Sequence, residues 1–400
     1  MGSSEITIAR NYALGAAGEL NMDTLPATGQ VITYSVHEDD PSKPDYVADS
    51  AATATAWATG IKTSNGRIST KPLTGEPVKT ILEIAQDAGF RTGNVTTAEL
   101  TDATPAALAS HVKDRDCQGP ADTAACPGQA SIAEQFIDHQ VDVLLGGGKA
   151  RFDQIIPVGQ PFAGMSVIAK AQNPPFHYQV VTDSSSLMAA DPRNGKLLGL
   201  FAPANMTTEW TGTLAQPFPG SGPQRCVETN RPVTEPSLTE MTRKALEFMT
   251  SGTDPGGRGR NLGFFLQVEG ASIDKRDHAM DPCGQIGETI AFDKAIALGL
   301  AFAKSHPDTL IIVTADHAHT SQIIPSSGIT SAQPGSFSRL ITADNAEMVL
   351  LYATNPITMS QDHTGAQVPL AAAGPFARRF VGVLDQTELF DIMKEALLSW

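Results

Sequence analysis

The sequence has few of the features that mark several classes of protein. Its 400 residues include four cysteines but no Cys-x-x-Cys pair, which argues against a zinc ribbon. The longest apolar run, Ala295 to Ala303, is too short to span a bilayer. The amino-terminal residues lack a basic start followed by an apolar core, so we expect no signal peptide in this chain.

Positive charge is also scarce. There are 28 Lys and Arg residues against 43 Asp and Glu, which gives a formal net charge of −15. This balance argues against nucleic-acid-specific binding and against an anionic membrane surface. It leaves room for an anionic substrate, because a local cationic site can lie inside an acidic protein. With 41% hydrophobic residues and no low-complexity tract, the chain is typical of a globular protein.

Apolar runs alternate with stretches of helical period. The runs that read as buried strands are Val141–Leu145, Lys196–Ala202, Phe264–Val268, Leu310–Val313 and Met348–Tyr352. The helical stretches are Val78–Ala88, Leu238–Thr250, Ile286–Lys304 and Gln386–Leu398. Strands that are apolar throughout predict a largely parallel central sheet with helices on both faces, a three-layer α/β/α fold. We expect one domain over 1–400, with an insertion or cap region at about 146–233, which is rich in Pro and Gln.

The stretch DSAATATAWATG, from Asp49 to Gly60, has neither a strand period nor an amphipathic stripe. Its small residues indicate a buried segment that other backbone approaches closely. It nevertheless opens on two polar residues, Asp49 and Ser50. An Asp or Ser at the head of a helix is most often an N-cap, so this pair alone does not establish a chemical role.

Three clusters of oxygen and imidazole donors lie at or beside predicted strand ends. Phe264–Val268 runs into Glu269 and then ASIDKRDHAMDP, where a helix would place Asp274 and His278 on one face. Leu310–Val313 runs into TADHAHT, which contains Asp316, His317 and His319, and the third cluster is the sequence DHTG around His363. Donors of this kind without thiolates predict catalytic zinc beside magnesium.

The four cysteines do not define their own pairing. Cys117 and Cys126 bracket a short loop rich in Gly and Pro, where a local disulfide would fit. From spacing alone, this bridge and four unpaired buried thiols are equally open.

At these residues the sequence resembles bacterial alkaline phosphatase. DSAATATAWATG resembles the nucleophile segment of that family. The segments TAELTDATPAALASHVKDR, QVEGASIDKRDHAMDPCGQIGET, VTADHAHTSQI and DHTGAQVPLAA resemble its other functional segments, in the same order and with matching spacing. The resemblance extends to the C-terminal helix. It implies a phosphomonoester hydrolase that releases an alcohol and inorganic phosphate.

The resemblance also implies a role for each matching residue. Ser50 would be the nucleophile that forms a phosphoserine intermediate, and Arg115, oriented by Asp49, would bind two phosphoryl oxygens. Lys275 would contact phosphate through water, and His319 would support a metal ligand. The implied cofactors are two Zn²⁺ and one Mg²⁺ per chain. Their implied ligands are Asp274, His278 and His363 for one zinc, Asp316 and His317 for the other, and Glu269, Thr104 and Asp102 for magnesium.

The resemblance makes further predictions about the whole chain. It implies that Cys117 pairs with Cys126 and Cys226 with Cys283, as in an exported enzyme of an oxidising compartment. We therefore expect a periplasmic or secreted homodimer. In the family, a strand ending in Gly-Asp-Gly-Met-Gly precedes the region matched by Met1, and its aspartate bridges zinc and magnesium. We expect this chain to lack that strand, and hence to be poorly stable and nearly inactive by itself.

Three other functions stay open from the sequence. A phosphodiesterase or sulfatase on the same scaffold would keep the metals, but we would expect Thr or formylglycine chemistry in place of DSAAT. A chain that binds metal and phosphate without turnover is the second alternative. A purely structural protein is the third, and it would leave the three donor clusters unexplained.

Overall fold

Helices and strands alternate along the chain. The computed structural model describes residues 1–122, 124–252, 262–356 and 360–399. The helices described are α1 (Ser3–Leu14), α2 (Ser50–Thr59), α3 (Ile81–Asp87), α4 (Ala103–Ala109), α5 (Ile132–Asp138), α6 (Lys149–Phe152), α7 (Val167–Gln172), α8 (Ser184–Ala189), α9 (Leu238–Thr250), α10 (Ser272–His278), α11 (Pro282–Ser305) and α12 (Gln386–Leu398).

The strands described are β1 (Ala27–Ile32), β2 (Ser35–Val36), β3 (Pro44–Asp45), β4 (Arg91–Glu99), β5 (Val143–Gly147), β6 (Tyr178–Val181), β7 (Lys196–Leu200), β8 (Trp210–Thr211), β9 (Ser221–Gln224), β10 (Val227–Glu228), β11 (Phe264–Glu269), β12 (Ile311–Val313), β13 (Gln322–Ile324), β14 (Ser336–Ile341), β15 (Glu347–Tyr352), β16 (Val368–Ala373) and β17 (Gly382–Asp385). All five predicted strands and all four predicted helices are present, with ends that shift by a few residues.

Tertiary contacts divide these elements into two units, each made from three segments of the chain. The first unit comprises Met1–Thr33, Thr207–Arg231 and Gly270–Asp385. The second comprises Tyr34–Met206, Pro232–Glu269 and the chain from Gln386 onward. The expectation that 1–400 is one domain stays a prediction.

The second unit is built on a five-stranded sheet in the order β11-β4-β5-β7-β6, and every neighbouring pair is parallel. β5 and β7 are buried along their whole length, as their continuous apolar sequences predict. A parallel sheet surrounded by helices confirms the predicted fold class. The stretch 146–233, where we expected an insertion, supplies β6 and β7 to this sheet and β8, β9 and β10 to the first unit.

The strand β4 escapes a search for apolar runs, because its sequence, RTGNVTTAE, is largely polar. The buried side chains of Thr92, Asn94 and Thr96 are hydrogen-bonded, which removes most of the cost of burying them. The Thr92 N–H donates to Asp142 at 2.8 Å, and the Asn94 amide donates to the Pro105 carbonyl at 2.9 Å. Hydrogen bonding therefore lets a polar segment take a central place in the sheet.

The first unit contains two four-stranded sheets. One has the order β12-β16-β1-β17, with β16 antiparallel to both of its neighbours and β1 parallel to β17. The other has the order β13-β15-β14-β9. A core cluster that includes Ile296 and Val313 joins α11 to β12.

Local sequence signals explain where the helices begin and end. Ser237 and Glu240 form a capping box, so α9 begins at the residue predicted from its periodicity. Asp49 caps α2 by accepting a hydrogen bond from the Ala52 N–H at 2.9 Å. Gly60 ends the same helix in the left-handed conformation, with φ at +75°.

Both disulfides implied by the resemblance are present. Cys117 is bonded to Cys126 in the second unit, and Cys226 is bonded to Cys283 in the first. Within the described ranges, no helix combines the length and the apolar character that a membrane span requires.

Candidate active site and metal centre

Ser50 is the first residue of α2 in the second unit. Asp49, the N-cap, holds this helix start in place through both carboxylate oxygens. Its Oδ1 accepts from the Ala52 N–H, while its Oδ2 accepts from the Gly66 N–H at 3.0 Å. The side chain of Ser50 therefore lies at the N-terminus of a helix, where the peptide dipoles favour negative charge on an oxygen.

Arg115 lies between two helix-capping aspartates of the same unit. Its Nη1 donates to Asp49 Oδ2 at 3.1 Å, and its Nη2 donates to Asp102 Oδ1 at 2.9 Å. Burial opposes the charge of the guanidinium, but the charges of Asp102 and Asp49 raise its pKa above the ordinary value. These contacts use two of the five N–H donors of the guanidinium, which is planar and permanently charged. The arrangement of these donors matches the oxygens of a phosphoryl group.

The three residues implied as magnesium ligands also belong to the second unit. Asp102 caps α4, and Thr104 lies in the first turn of that helix, almost completely buried. Glu269 ends β11, where its Oε2 accepts from the Thr96 hydroxyl at 2.6 Å. Gln267, two residues earlier on β11, donates to the Thr104 carbonyl at 3.3 Å, so the strand end and the helix are linked.

In the first unit, one carboxylate oxygen is surrounded by imidazoles. The Nε2 atoms of His278, His319 and His363 lie 3.4, 3.3 and 3.3 Å from Asp274 Oδ1. The same atoms of His278 and His363 are 3.1 Å apart. Asp274 and His278 project from one face of α10, as the spacing predicts. Lys275 occupies the position between them on this helix.

This group has the donor chemistry and the spacing of a metal site. Asp274 Oδ1 and His319 Nε2 are buried atoms with no hydrogen-bond partner among the described residues. Ligands at about 2.0–2.1 Å from a tetrahedral zinc lie about 3.3–3.4 Å from one another, close to the distances found here. His319, for which the resemblance implies only a supporting role, lies inside this group of four.

Asp316 and His317 follow β12 in the same unit. His317 Nε2 lies 3.0 Å from Asp316 Oδ2 and 3.9 Å from Asp274 Oδ1. The ring of His317 stacks on that of His363, with centroids 3.5 Å apart. The strand end after β12, the helix α10 and the turn at His363 thus bring their donors together.

Burial and neighbouring charge determine the protonation of these groups. Burial would raise the pKa of Asp274, but the imidazoles of His319 and His363 beside it lower it well below its usual range. Burial lowers the pKa of His319 to about 4 despite the nearby Asp274 carboxylate. Burial also opposes ionisation of Asp316, yet the adjacent His317 holds its pKa below the ordinary value. At neutral pH the group therefore offers ionised carboxylates together with the neutral imidazole of His319.

Two positioning residues were missed by the sequence reasoning. Thr96 donates its hydroxyl to Glu269, and the Gln361 carbonyl accepts from His278 Nδ1. A donated Nδ1–H fixes the ring so that Nε2 faces the other donors. Neither residue carries a sequence signal, because Thr96 lies in an unrecognised strand and Gln361 acts through its backbone.

Comparison with known proteins identifies close relatives. Residues 1–361 match the sequence profile of the family described as alkaline phosphatase. The chain is 52% identical to streptomycin-6-phosphate phosphatase of Streptomyces griseus, over 99% of this chain and 88% of that protein. It is 47% identical to alkaline phosphatase H of Pseudomonas aeruginosa, over 99% of this chain and 83% of that protein.

Solved structures agree with the fold. The alkaline phosphatase from the Antarctic bacterium TAB5 superposes with a TM-score of 0.69 at 24% identity, covering 99% of this chain and 95% of that one. The Thermus thermophilus alkaline phosphatase gives a TM-score of 0.70 at 23% identity, covering 99% and 89%. At these identities the structures support the fold alone.

Proposed function

The chain belongs to the alkaline phosphatase family, and we propose that it hydrolyses phosphomonoesters through a phosphoserine formed on Ser50. The main support for this proposal is the position of Arg115. Its guanidinium is held by Asp49 and Asp102, the residues that begin two helices of the second unit. An arginine fixed in this way has a preset orientation toward an anionic phosphoryl group beside the Ser50 helix.

The reaction takes two displacements. In the first, the Ser50 oxygen bonds to phosphorus, the bond from phosphorus to the ester oxygen breaks, and the alcohol leaves with a proton. In the second, water attacks the phosphoserine, which releases inorganic phosphate and restores the Ser50 hydroxyl. Arg115 neutralises charge on the phosphoryl oxygens in both steps, and the start of α2 favours an anionic Ser50 oxygen. Lys275 would contact the phosphate through water.

Members of this family are metalloenzymes, and the described residues contain matching donor groups. We assign one zinc to Asp274, His278 and His363, a second to Asp316 and His317, and magnesium to Glu269, Thr104 and Asp102. His319 would support Asp274 by hydrogen bonding. When bound, such ions supply Lewis-acid stabilisation for charged oxygens during phosphoryl transfer. The unpartnered Asp274 Oδ1 supports a cation at the first of these positions.

Trapping the intermediate tests the role of Ser50. With labelled phosphomonoester and an acid quench, we expect label on Ser50 in the unmodified chain, even at the low turnover expected from the sequence, and none in Ser50→Ala. Turnover of Ser50→Ala should fall by a factor on the order of 10³ or more, because the nucleophile is lost. Ser42→Ala removes an exposed serine of the same unit and should keep both label and activity. Label on another residue of the Ser50→Ala chain would refute the assignment.

The most similar relative reported above suggests a particular substrate. That relative is named for streptomycin 6-phosphate, and we propose the same ester as a substrate of this chain. We expect its kcat/KM to exceed that of p-nitrophenyl phosphate. A higher kcat/KM for the simple aryl ester would contradict this substrate preference while leaving phosphomonoester hydrolysis intact. Phosphate diesters and sulfate esters serve as competing classes, and faster turnover of either would contradict the reaction class.

The compartment and assembly are also proposals. The two disulfides fit an oxidising environment, which supports a periplasmic or secreted location. We further propose a homodimer, as the family resemblance implies. Light scattering of the purified protein should give twice the mass of one chain, and a single-chain mass would contradict it.

A further inference from the structure

A second group of donors lies in the second unit, on residues that the proposed reaction does not use. Glu83 is on α3, His111 follows α4, and His139 is the C-cap of α5. One ligand atom from each side chain lies within 4.8 Å of the other two. Helix ends that are distant in sequence thus bring two imidazoles and a carboxylate to one place.

Both imidazoles are held by backbone carbonyls. His111 Nδ1 lies 2.9 Å from the Ser69 carbonyl oxygen, and His139 Nδ1 lies 2.7 Å from that of Ala109. Because a carbonyl oxygen only accepts, each Nδ1 carries a proton, a tautomer assigned from the hydrogen-bond network. In the neutral rings, each Nε2 then presents a lone pair.

Both lone pairs face an anion. Glu83 Oε1 lies 3.3 Å from His111 Nε2 and 3.6 Å from His139 Nε2. Two lone pairs and a carboxylate oxygen at this separation repel one another unless a cation lies among them. The cation is either a proton on the rings or a metal ion.

The arrangement has the features of a metal site. The two distances are close to the separation of about 3.3–3.4 Å between neighbouring ligands of a tetrahedral zinc. A histidine that donates its other nitrogen to a backbone carbonyl is the usual supporting arrangement for a ligand. The second Glu83 oxygen, Oε2, accepts from the Thr80 N–H at 2.7 Å, so the carboxylate is also oriented.

The side chains favour one class of metal. Two imidazole nitrogens and one carboxylate oxygen suit zinc, whereas calcium and magnesium prefer oxygen ligands throughout. The exposed fraction of the side chain is 19% for Glu83, 12% for His111 and 27% for His139. This partial exposure leaves water access for a fourth ligand. We propose that Glu83, His111 and His139 bind a zinc ion that ties α3 to the ends of α4 and α5.

Metal content of matched variants tests the site. After equilibration with buffered zinc, His139→Asn and Glu83→Gln should each contain about one zinc per chain less than the unmodified protein. His37→Asn removes an exposed histidine from the same unit and should show no loss. Repeating the pair in a His363→Ala background separates this zinc from the Asp274 group, because the two losses should add. Equal zinc content in His139→Asn and the unmodified chain would overturn the proposal.

Chemical protection provides a test that needs no variant. Diethyl pyrocarbonate acylates accessible imidazole nitrogens, and peptide mass spectrometry locates the adducts. Added zinc should reduce acylation of His139 and His111 at least about fivefold while leaving His37 unchanged. Equal acylation of His139 with and without zinc would show that a proton, not a metal, lies between the rings and Glu83.

Discussion

At the scale of single residues, burial changes the chemistry of Glu288. This side chain on α11 is almost completely buried, and burial raises its pKa to about 7. Its Oε1 accepts from the Glu209 N–H at 2.8 Å, and the charge of Glu209 raises the pKa further. Between the unfolded pKa of 4.5 and about 7, the folded protein keeps a proton that the unfolded chain has lost. Stability therefore falls as the pH rises through this window.

Replacing Glu288 by Gln should remove this loss of stability. The neutral amide can still accept the Glu209 N–H, but it cannot ionise. At pH 8 we expect Glu288→Gln to be more stable than the unmodified chain by up to about 3 kcal/mol, and at pH 5, just above the unfolded pKa, by less than about 1 kcal/mol. Denaturant unfolding at the two pH values measures the difference. Glu347→Gln, at an exposed position, is the control. Equal gains at pH 5 and pH 8 would contradict the ionisation argument.

At the scale of elements, α2 depends on the residues at its two ends. Asp49 begins the helix, and Gly60 ends it with φ at +75°. A Cβ added to Gly60 would lie 2.6 Å from the ring of Phe390, a buried side chain of α12. Gly66 also has a positive φ, of +83°, but its Cβ would meet nothing within 4 Å. Alanine substitutions at the two glycines therefore allow the effect of backbone strain to be separated from that of the steric conflict with Phe390.

We expect Gly60→Ala to destabilise the protein more than Gly66→Ala. Each alanine pays left-handed strain of roughly 1–2 kcal/mol. Only Gly60→Ala must also displace Phe390 between α2 and α12, which adds about 1–3 kcal/mol of overpacking. The denaturant midpoints of the two variants measure the difference. Equal midpoints would show that α12 moves away from α2 at little cost.

At the scale of the whole molecule, the two disulfides close loops of very different length. Cys226 and Cys283 are 57 residues apart in sequence, whereas Cys117 and Cys126 are 9 apart. In the chain-entropy account, the longer loop restricts the unfolded state more. The Cys226–Cys283 bond also joins the segment Thr207–Arg231 to α11 within the first unit.

Removing the disulfide that closes the longer loop should therefore destabilise the protein more than removing the other disulfide. We expect about 4 kcal/mol for Cys226→Ala with Cys283→Ala, against about 2.5–3 kcal/mol for Cys117→Ala with Cys126→Ala. Unfolding both double variants in denaturant gives the comparison, with the unmodified chain in reductant as the reference for losing both. A larger loss for the Cys117–Cys126 pair would mean that the local loop has a native-state role beyond chain entropy.

Sequence predicts some parts of this molecule better than others. α9 and α12 have the predicted ends because their periodicity is a local signal, to which α9 adds its capping box. The donor clusters around Asp274 and Asp316 follow the predicted strands β11 and β12, but only β11 belongs to the parallel sheet, whose strands collect function at their carboxyl ends, since β12 is antiparallel to β16. β4 was missed because its sequence is largely polar. The hydrogen bonds that allow these polar residues to be buried form only in the folded protein. Glu83, His111 and His139 were missed because no local pattern links three helix ends that meet only in the folded unit.

The pairing of β1 could not be predicted from local sequence either. It also means that β1 must wait for its partner strands while the chain is being synthesised. β1 lies between β16 and β17, whose residues follow about 340 positions later in the chain. At about 5–20 residues per second, a ribosome needs on the order of 20–70 s to make those partners after β1 emerges. For that time the residues of β1 have neither neighbouring strand, so the backbone groups on both edges of β1 can be paired only when the end of the chain has been made.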